Sequence, residues 1–261
     1  MGKLIGIDFE GQEDEVLKKI IKLKQLDAER VEQRKKSKSR EVKRRRIKKI
    51  IKDNKVDMVL LQETKRAAFD SNLVRSIWPE DNLEFMEVGA SGSAGGLVCV
   101  WNPAMFALVD CCCSRNFILL AGKIMPYFDC VVINVYAPNE VTKRRDLWDL
   151  IARIKPLFPN PWCIGGDFNK IRHLGEMVGS SRRNVGMNDF NVFIDRMKGV
   201  ELPLLRRKFT WSDCREEGRW NRIDRFIVDS DWLLRFDYKC WGLPRILSDH
   251  CPLLLTEDIR D

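Results

Sequence analysis

Residues 162–169 read WCIGGDFN: three large or apolar residues, two glycines, then an acid, an aromatic and an amide. An apolar run that stops in Gly-Gly is a short buried strand ending in a turn, which places Asp167 and Asn169 at a strand end. The same grammar repeats outward in both directions. Residues 56–62 (VDMVLLQ), 97–101 (LVCVW, after the turn SGSAGG), 117–124 and 130–136 (CVVINVY) read as strands upstream, and 222–228 (RIDRFIV) and 251–255 (CPLLL) read as strands downstream. Helical periodicity occupies 144–157 and 187–197. A longer helical pattern runs from 13 to 54, with Val16, Ile20 and Leu23 on one stripe and Ile47, Ile50 and Ile51 on another, and KLIGIDF at 3–9 is a further strand. Strands and helices that mix without a barrel's regular period predict two sheets packed together with helices outside.

A length of 261 residues fits one large α/β domain or two small ones, and no Pro/Gly/Ser-rich linker divides it. A single domain over 1–261 is therefore expected, carrying a charged, partly disordered insertion at about 24–45. The net charge of +8 is unevenly spread. Twelve Lys/Arg against Glu32 and Glu41 give residues 30–49 a charge of +10, so the remainder of the chain carries −2. That segment is either a solvated charged helix or a surface for an anionic partner. Of the nine cysteines, Cys111–Cys113 are consecutive and Cys99, Cys130, Cys163 and Cys251 lie in apolar runs, where they read as small buried hydrophobes. With two histidines and no signal peptide, a secreted disulfide scaffold and a Cys/His zinc site are both disfavoured, and a reducing intracellular compartment, nuclear or cytoplasmic, is expected. No apolar run approaches the ~20 residues of a membrane span.

Polar groups recur where strands end: Glu63 after DMVLLQ, Tyr136 and Asn139 around VVINV, Asp167 and Asn169 after WCIGG, Asp224 in NRIDRF, and Asp249-His250 before CPLLL. Each has a structural explanation. Glu63 can cap a helix near Thr64, Tyr136 can be an amphipathic core residue, Asp167 and Asn169 can hold a turn, and Asp224 can pair with Arg222 or Arg225. Their repetition in one chain points instead to an acid cluster for a hard cation, with a His–Asp pair for proton transfer.

Seven strings in order carry a resemblance: LLQETK (60–65), GGLVCVWN (95–102), NVYAPN (134–139), GGDFN (165–169), RKFTWSD (207–213), NRIDRFIVD (221–229) and LSDHCPLLL (247–255). The chain resembles the endonuclease/exonuclease/phosphatase superfamily, and within it the endonuclease domain of plant non-LTR (LINE-type) retrotransposon polyproteins. The resemblance implies an α/β four-layer sandwich, two mainly antiparallel sheets packed face to face with outer helices and the active site at one rim. It implies Glu63 and Asp249 as ligands of Mg²⁺ or Mn²⁺, Tyr136 at the phosphate, and Asp167 as the acid that orients or deprotonates water. Asn169 is implied beside the scissile group, His250 on the phosphoryl oxygens, and Asp224 as the carboxylate orienting His250. The family's opening strand ends in Trp-Asn-x-x-Gly; here Ile7-Asp8-Phe9-Glu10-Gly11 puts Asp8, a further metal ligand, where the Asn belongs. His173 matches no functional position.

The resemblance further implies DNA, duplex in form, as the partner, with Phe209 and Trp211 near its groove. Arg206, Arg207 and Lys208, joined by Arg182 and Arg183, suit backbone phosphates. Neither a membrane nor a dedicated protein partner is indicated. The leading reading is a metal-dependent phosphodiesterase that nicks DNA by activated-water attack. The alternatives are a catalytically impaired, nucleic-acid-binding remnant, which the Asp8 departure favours, and a hydrolase of a small or lipid phosphoester.

Overall fold

The computed structural model describes residues 22, 25, 39–91, 95–179, 185–213, 218–245 and 248–257. Two compact units divide the chain, residues 1–45 and 46–261. Of the first, residues 22, 25 and 39–45 are described; all are helical, and apart from Arg44 all are exposed. The opening strand expected at 3–9 and residues 30–38 of the charged run lie outside the described residues.

The second unit begins with helical residues 46–53 (α1) and continues β1 (Met58–Leu61), α2 (Ser71–Ile77), β2 (Glu84–Val88), β3 (Leu97–Trp101), β4 (Phe106–Ser114), β5 (Phe117–Ile124) and β6 (Phe128–Tyr136). Then follow α3 (Val141–Ile154), β7 (Trp162–Asp167), β8 (Met177–Val178), α4 (Met187–Arg196), β9 (Val200–Glu201) and β10 (Leu204–Leu205). The remainder is β11 (Trp211–Ser212), β12 (Trp220–Asn221), β13 (Asp224–Val228), α5 (Ser230–Arg235), β14 (Tyr238–Gly242) and β15 (Leu253–Glu257). A six-stranded sheet runs β4-β5-β6-β7-β13-β9, and three-stranded sheets run β1-β3-β2, β10-β14-β15 and β11-β12-β8. Pairing is antiparallel except at β6–β7, where α3 makes the crossover, and at β10–β14.

Alternation along the strands of the large sheet feeds two cores. Phe117, Leu119, Val131, Ile133, Val135, Trp162 and Ile164 face α3 and α4, whose Leu147, Trp148, Ile151, Phe190, Phe193 and Ile194 recur at helical spacing. Trp148 there lies against Phe193, Phe190 and Phe168, with ring centroids 4.6, 5.4 and 5.9 Å away. Ile118, Leu120, Cys130, Val132, Cys163 and Val228 face the other way, onto Leu97, Cys99 and Trp101 of β3, Cys240 of β14 and Leu253 and Leu255 of β15. Behind β3, Val98 and Val100 pack on Ile51 of α1 and on Val74 and Trp78 of α2 and its end. The result is the expected order of helices, sheet, sheet, helices. Each strand that is buried on both faces, such as β3, reads as a continuous apolar run because it has no solvent side.

The differences from the sequence reading are local. β4 was not anticipated: it is an edge strand with a bulge between Leu108 and Asp110, which breaks its alternation. Cys111 and Cys113 on it are exposed, whereas Cys99, Cys130, Cys163, Cys240 and Cys251 are buried; these and Cys112 are all free thiols. No helix forms at Thr64, so Glu63 is not a cap, and α2 starts later with Asp70 capping Leu73 N–H at 2.7 Å. No helix among the described residues is long and apolar enough to cross a membrane.

Candidate active site

Three polar residues line up across adjacent strands. β6 and β7 pair Tyr136 with Asp167, and β7 and β13 pair Asp167 with Asp224. Residues directly opposite one another point to the same side of a sheet, so all three share the inter-sheet face, at its rim. The row depends on Gly166, whose φ of +144° is one that L residues rarely adopt and whose added Cβ would lie 2.0 Å from the Val135 carbonyl oxygen. Beyond β7 the chain turns sharply. Asp167 Oδ1 accepts the Asn169 N–H at 2.8 Å, Asn169 takes a φ of +48°, and its side-chain amide donates to the Ala137 carbonyl at 2.7 Å. The buried Arg144 of α3 fixes the loop after β6, on which Ala137 lies, through the Pro138 and Asn139 carbonyls at 2.8 and 2.6 Å.

Glu63 arrives from the other sheet. Asn134 of β6, fully buried, donates to the Leu61 and Val98 carbonyls at 3.1 and 3.3 Å and accepts from Gln62 Nε2 at 2.6 Å, tying the end of β1 to the large sheet. One residue on, with φ of +50°, Glu63 accepts the hydroxyl of Tyr136 and lies 3.4 Å from Lys65 Nζ. The final arm is Ser248–Cys251. Thr210, buried, accepts the N–H groups of Ile223 and Asp224 on its hydroxyl at 3.0 and 3.1 Å, and its carbonyl accepts the Cys251 N–H at 2.7 Å. Trp211 bridges His250 through the backbone and donates its indole N–H to Asp249 Oδ2 at 2.8 Å. His250 thereby meets Asp224, with Nδ1 3.1 and 3.0 Å from the two carboxylate oxygens.

One ligand atom each from Asp167, Asp224 and His250 lies within 4.8 Å of the others. Burial opposes the imidazolium, but Asp224, and behind it Asp167 and Asp249, outweigh it and raise His250 to about 9. Burial lifts Asp167 well above the usual carboxylate range, reinforced by Asp224 and Glu63 and opposed by His250 and the Asn169 N–H. Burial together with Glu63 likewise pushes the Tyr136 phenol up. Crowded carboxylate oxygens suit a hard divalent cation, whose charge would relieve the repulsion that adds to the burial of Asp167.

The structure brings Glu63, Tyr136, Asp167, Asn169, Asp224, Asp249 and His250 into one electrostatic neighbourhood. Asp8, Arg182 and Arg183 lie outside the described residues. Arg206 and Lys208 are exposed, over the rings of Trp241 (4.9 Å) and Phe209 (5.4 Å), while Arg207 is half-buried with its stem against Gly242. These three border a cleft of about 380 Å³ with Arg222 and His173. Phe209 and Trp211 are half-buried, neither fully exposed nor core. His173 stands away from the cluster, 3.6 Å from Glu176. Sequence reasoning missed the ion network behind β13, where buried Arg225 pairs with Glu176 and Glu201, and Arg222 with Glu201. The signal was available: in RIDRFIV, Arg225 is out of phase with Asp224 and Phe226, hence points to the other face.

Two helix-flanked sheets packed face to face, with carboxylates and one imidazole at a shared rim, define the class of α/β sandwiches built around phosphoester chemistry. The chain belongs to the Endonuclease/Exonuclease/phosphatase family, whose model matches residues 28–250. No curated protein matches it. Solved structures do: an AP endonuclease from Leishmania major is 15% identical with a TM-score of 0.64, covering 81% of each chain. The endonuclease domain of TRAS1, a telomere-specific non-LTR retrotransposon, is 14% identical with a TM-score of 0.61, covering 82% of this chain and 92% of that one. ANGEL2, a 2',3'-cyclic phosphatase, is 14% identical with a TM-score of 0.56, covering 80% and 84%. At such identities the likeness establishes the fold.

Proposed function

We propose that this chain is a divalent-metal-dependent phosphodiesterase that nicks DNA by attack of an activated water, and that it is akin to the endonuclease domains of LINE-type elements of plants. The observation that carries the reading is the His250–Asp224 pair held against Asp167 at the rim. Asp224 accepts a hydrogen bond from Nδ1–H and stabilises the imidazolium, so the charged ring presents Nε2–H to a non-bridging phosphoryl oxygen. Asp167, made more basic by its surroundings, takes the proton of a water lined up opposite the leaving oxygen. Asn169, anchored on Ala137, stands beside the scissile group, and the Tyr136 hydroxyl orients Glu63. Glu63, Asp249 and Asp8 would hold Mg²⁺ or Mn²⁺, which when bound supplies positive charge for the oxyanions that develop.

Arg206, Arg207, Lys208 and Phe209 suit a polymeric anion better than a small head group, because three consecutive cations border one cleft with Arg222 and Lys208 lies over the Phe209 ring. Arg182 and Arg183 are further candidates for backbone phosphates on this reading. The test is incubation with supercoiled plasmid with and without Mg²⁺ or Mn²⁺. Nicking abolished by EDTA and by His250→Ala, but retained in His173→Ala, is the expected result. The carboxylate Asp8 favours a second reading, a binding remnant, since like charge disfavours phosphate. Metal-independent DNA retention without nicking would select it.

A further inference from the structure

Trp211 is a half-buried aromatic beside a DNA-facing site, a position that invites assignment as a substrate contact. Its chemistry points elsewhere. The indole has a single polar group, a donor, and that donor is committed to Asp249 Oδ2 at 2.8 Å. Asp249 is exposed and sits on the irregular segment before β15, where an aspartate left to itself rotates about its side-chain bonds. Two backbone links join the same pair of segments: Ser212 N–H donates to the Asp249 carbonyl at 3.1 Å, and Trp211 and His250 form an antiparallel bridge. Backbone and side chain of residue 249 are thus both pinned to β11, which is itself paired with β12, a strand that ends shortly before Asp224.

We propose that Trp211 is a positioning residue that orients the Asp249 carboxylate for a divalent cation; the proposal rests on the reading of Asp249 as a metal ligand. Groups that hold a metal ligand in place typically carry 10–100-fold in metal affinity, because an unheld carboxylate must be ordered on binding. Removing the N–H while keeping an aromatic ring separates this role from packing.

The experiment is Mn²⁺ titration of the full chain without DNA, followed by electron paramagnetic resonance, for wild type, Trp211→Phe, Asp249→Ala and the double variant. Circular dichroism establishes that each is folded. Trp211→Phe is expected to raise the Mn²⁺ half-saturation about ten-fold. In the Asp249→Ala background the same substitution should have no further effect, since its acceptor is gone. Plasmid binding in EDTA should be unchanged by Trp211→Phe, and nicking at saturating Mn²⁺ should recover towards wild type. Wild-type Mn²⁺ affinity in Trp211→Phe, or additive losses in the double variant, would overturn the proposal, and weaker plasmid binding with intact metal affinity would make Trp211 a DNA-binding residue instead. A wild-type chain that binds no Mn²⁺ fails the underlying metalloenzyme reading, and the positioning role with it.

Discussion

His250 gains its charge from its neighbours, and that gain is a statement about stability as well as chemistry. An unfolded histidine titrates near 6.5, while the folded one does so at about 9. Between those values the folded chain binds the extra proton and the unfolded chain does not. The contribution is therefore fully present below pH ~6.5 and lost as pH rises through ~9; it is on the order of 3 kcal/mol at most. Asp167, also raised, acts in the same direction, since its folded form holds a proton to higher pH. Thermal melts of metal-free protein from pH 6 to 9 should show a falling midpoint, and Asp224→Asn should flatten that slope; parallel slopes would place the charge of His250 elsewhere. At this scale Asp224 and His250 were legible because each interrupts or adjoins an apolar run. Gln62 and Asn134 were not, because a buried amide reads in sequence as an exposed one until its partners are known.

The elements were legible in proportion to how buried they are. Residues 117–124 form β5 as read, and β7 begins at Trp162 as read but continues to Asp167, because its last residues keep their pairing with β6 and β13. Short or one-sided elements escaped: α2 has seven residues, and β4 carries its exposed thiols at an edge. The expected start of β13 at 222 and of β15 at 251 gave way to 224 and 253, where the Thr210 segment takes the hydrogen bonds that a ladder would have used. The sharpest test of an element lies at Gly166. A methyl group there meets the Val135 carbonyl at 2.0 Å in a backbone conformation that alanine resists. Gly166→Ala should lower stability by more than ~3 kcal/mol in urea unfolding. A variant as stable as wild type would mean that β6 and β7 yield without loss of their register.

Across the molecule, charge and structure are distributed differently. The family match at 28–250 includes the whole basic run, yet residues 46–261 hold all the described site groups. With +10 in residues 30–49 against −2 elsewhere, long-range attraction to a polyanion resides in one segment. On the proposed reading, Gln in place of Lys43, Arg44, Arg45, Arg46, Lys48 and Lys49 should reduce the salt slope of DNA binding by roughly 0.9 for each duplex phosphate that is no longer neutralised. An unchanged slope would remove this segment from the interface. The rim itself is assembled from Glu63, Tyr136, Asp167, Asp224 and His250, five groups delivered in chain order from widely spaced points. A chain emerging from the ribosome exposes its acids long before its imidazole, and the clasp of Thr210 and Trp211 on Ser248–Cys251 closes after everything upstream has been made. On the proposed reading, the site lacks its imidazole until residue 250 has been made and seated, so the acids alone do not make it competent.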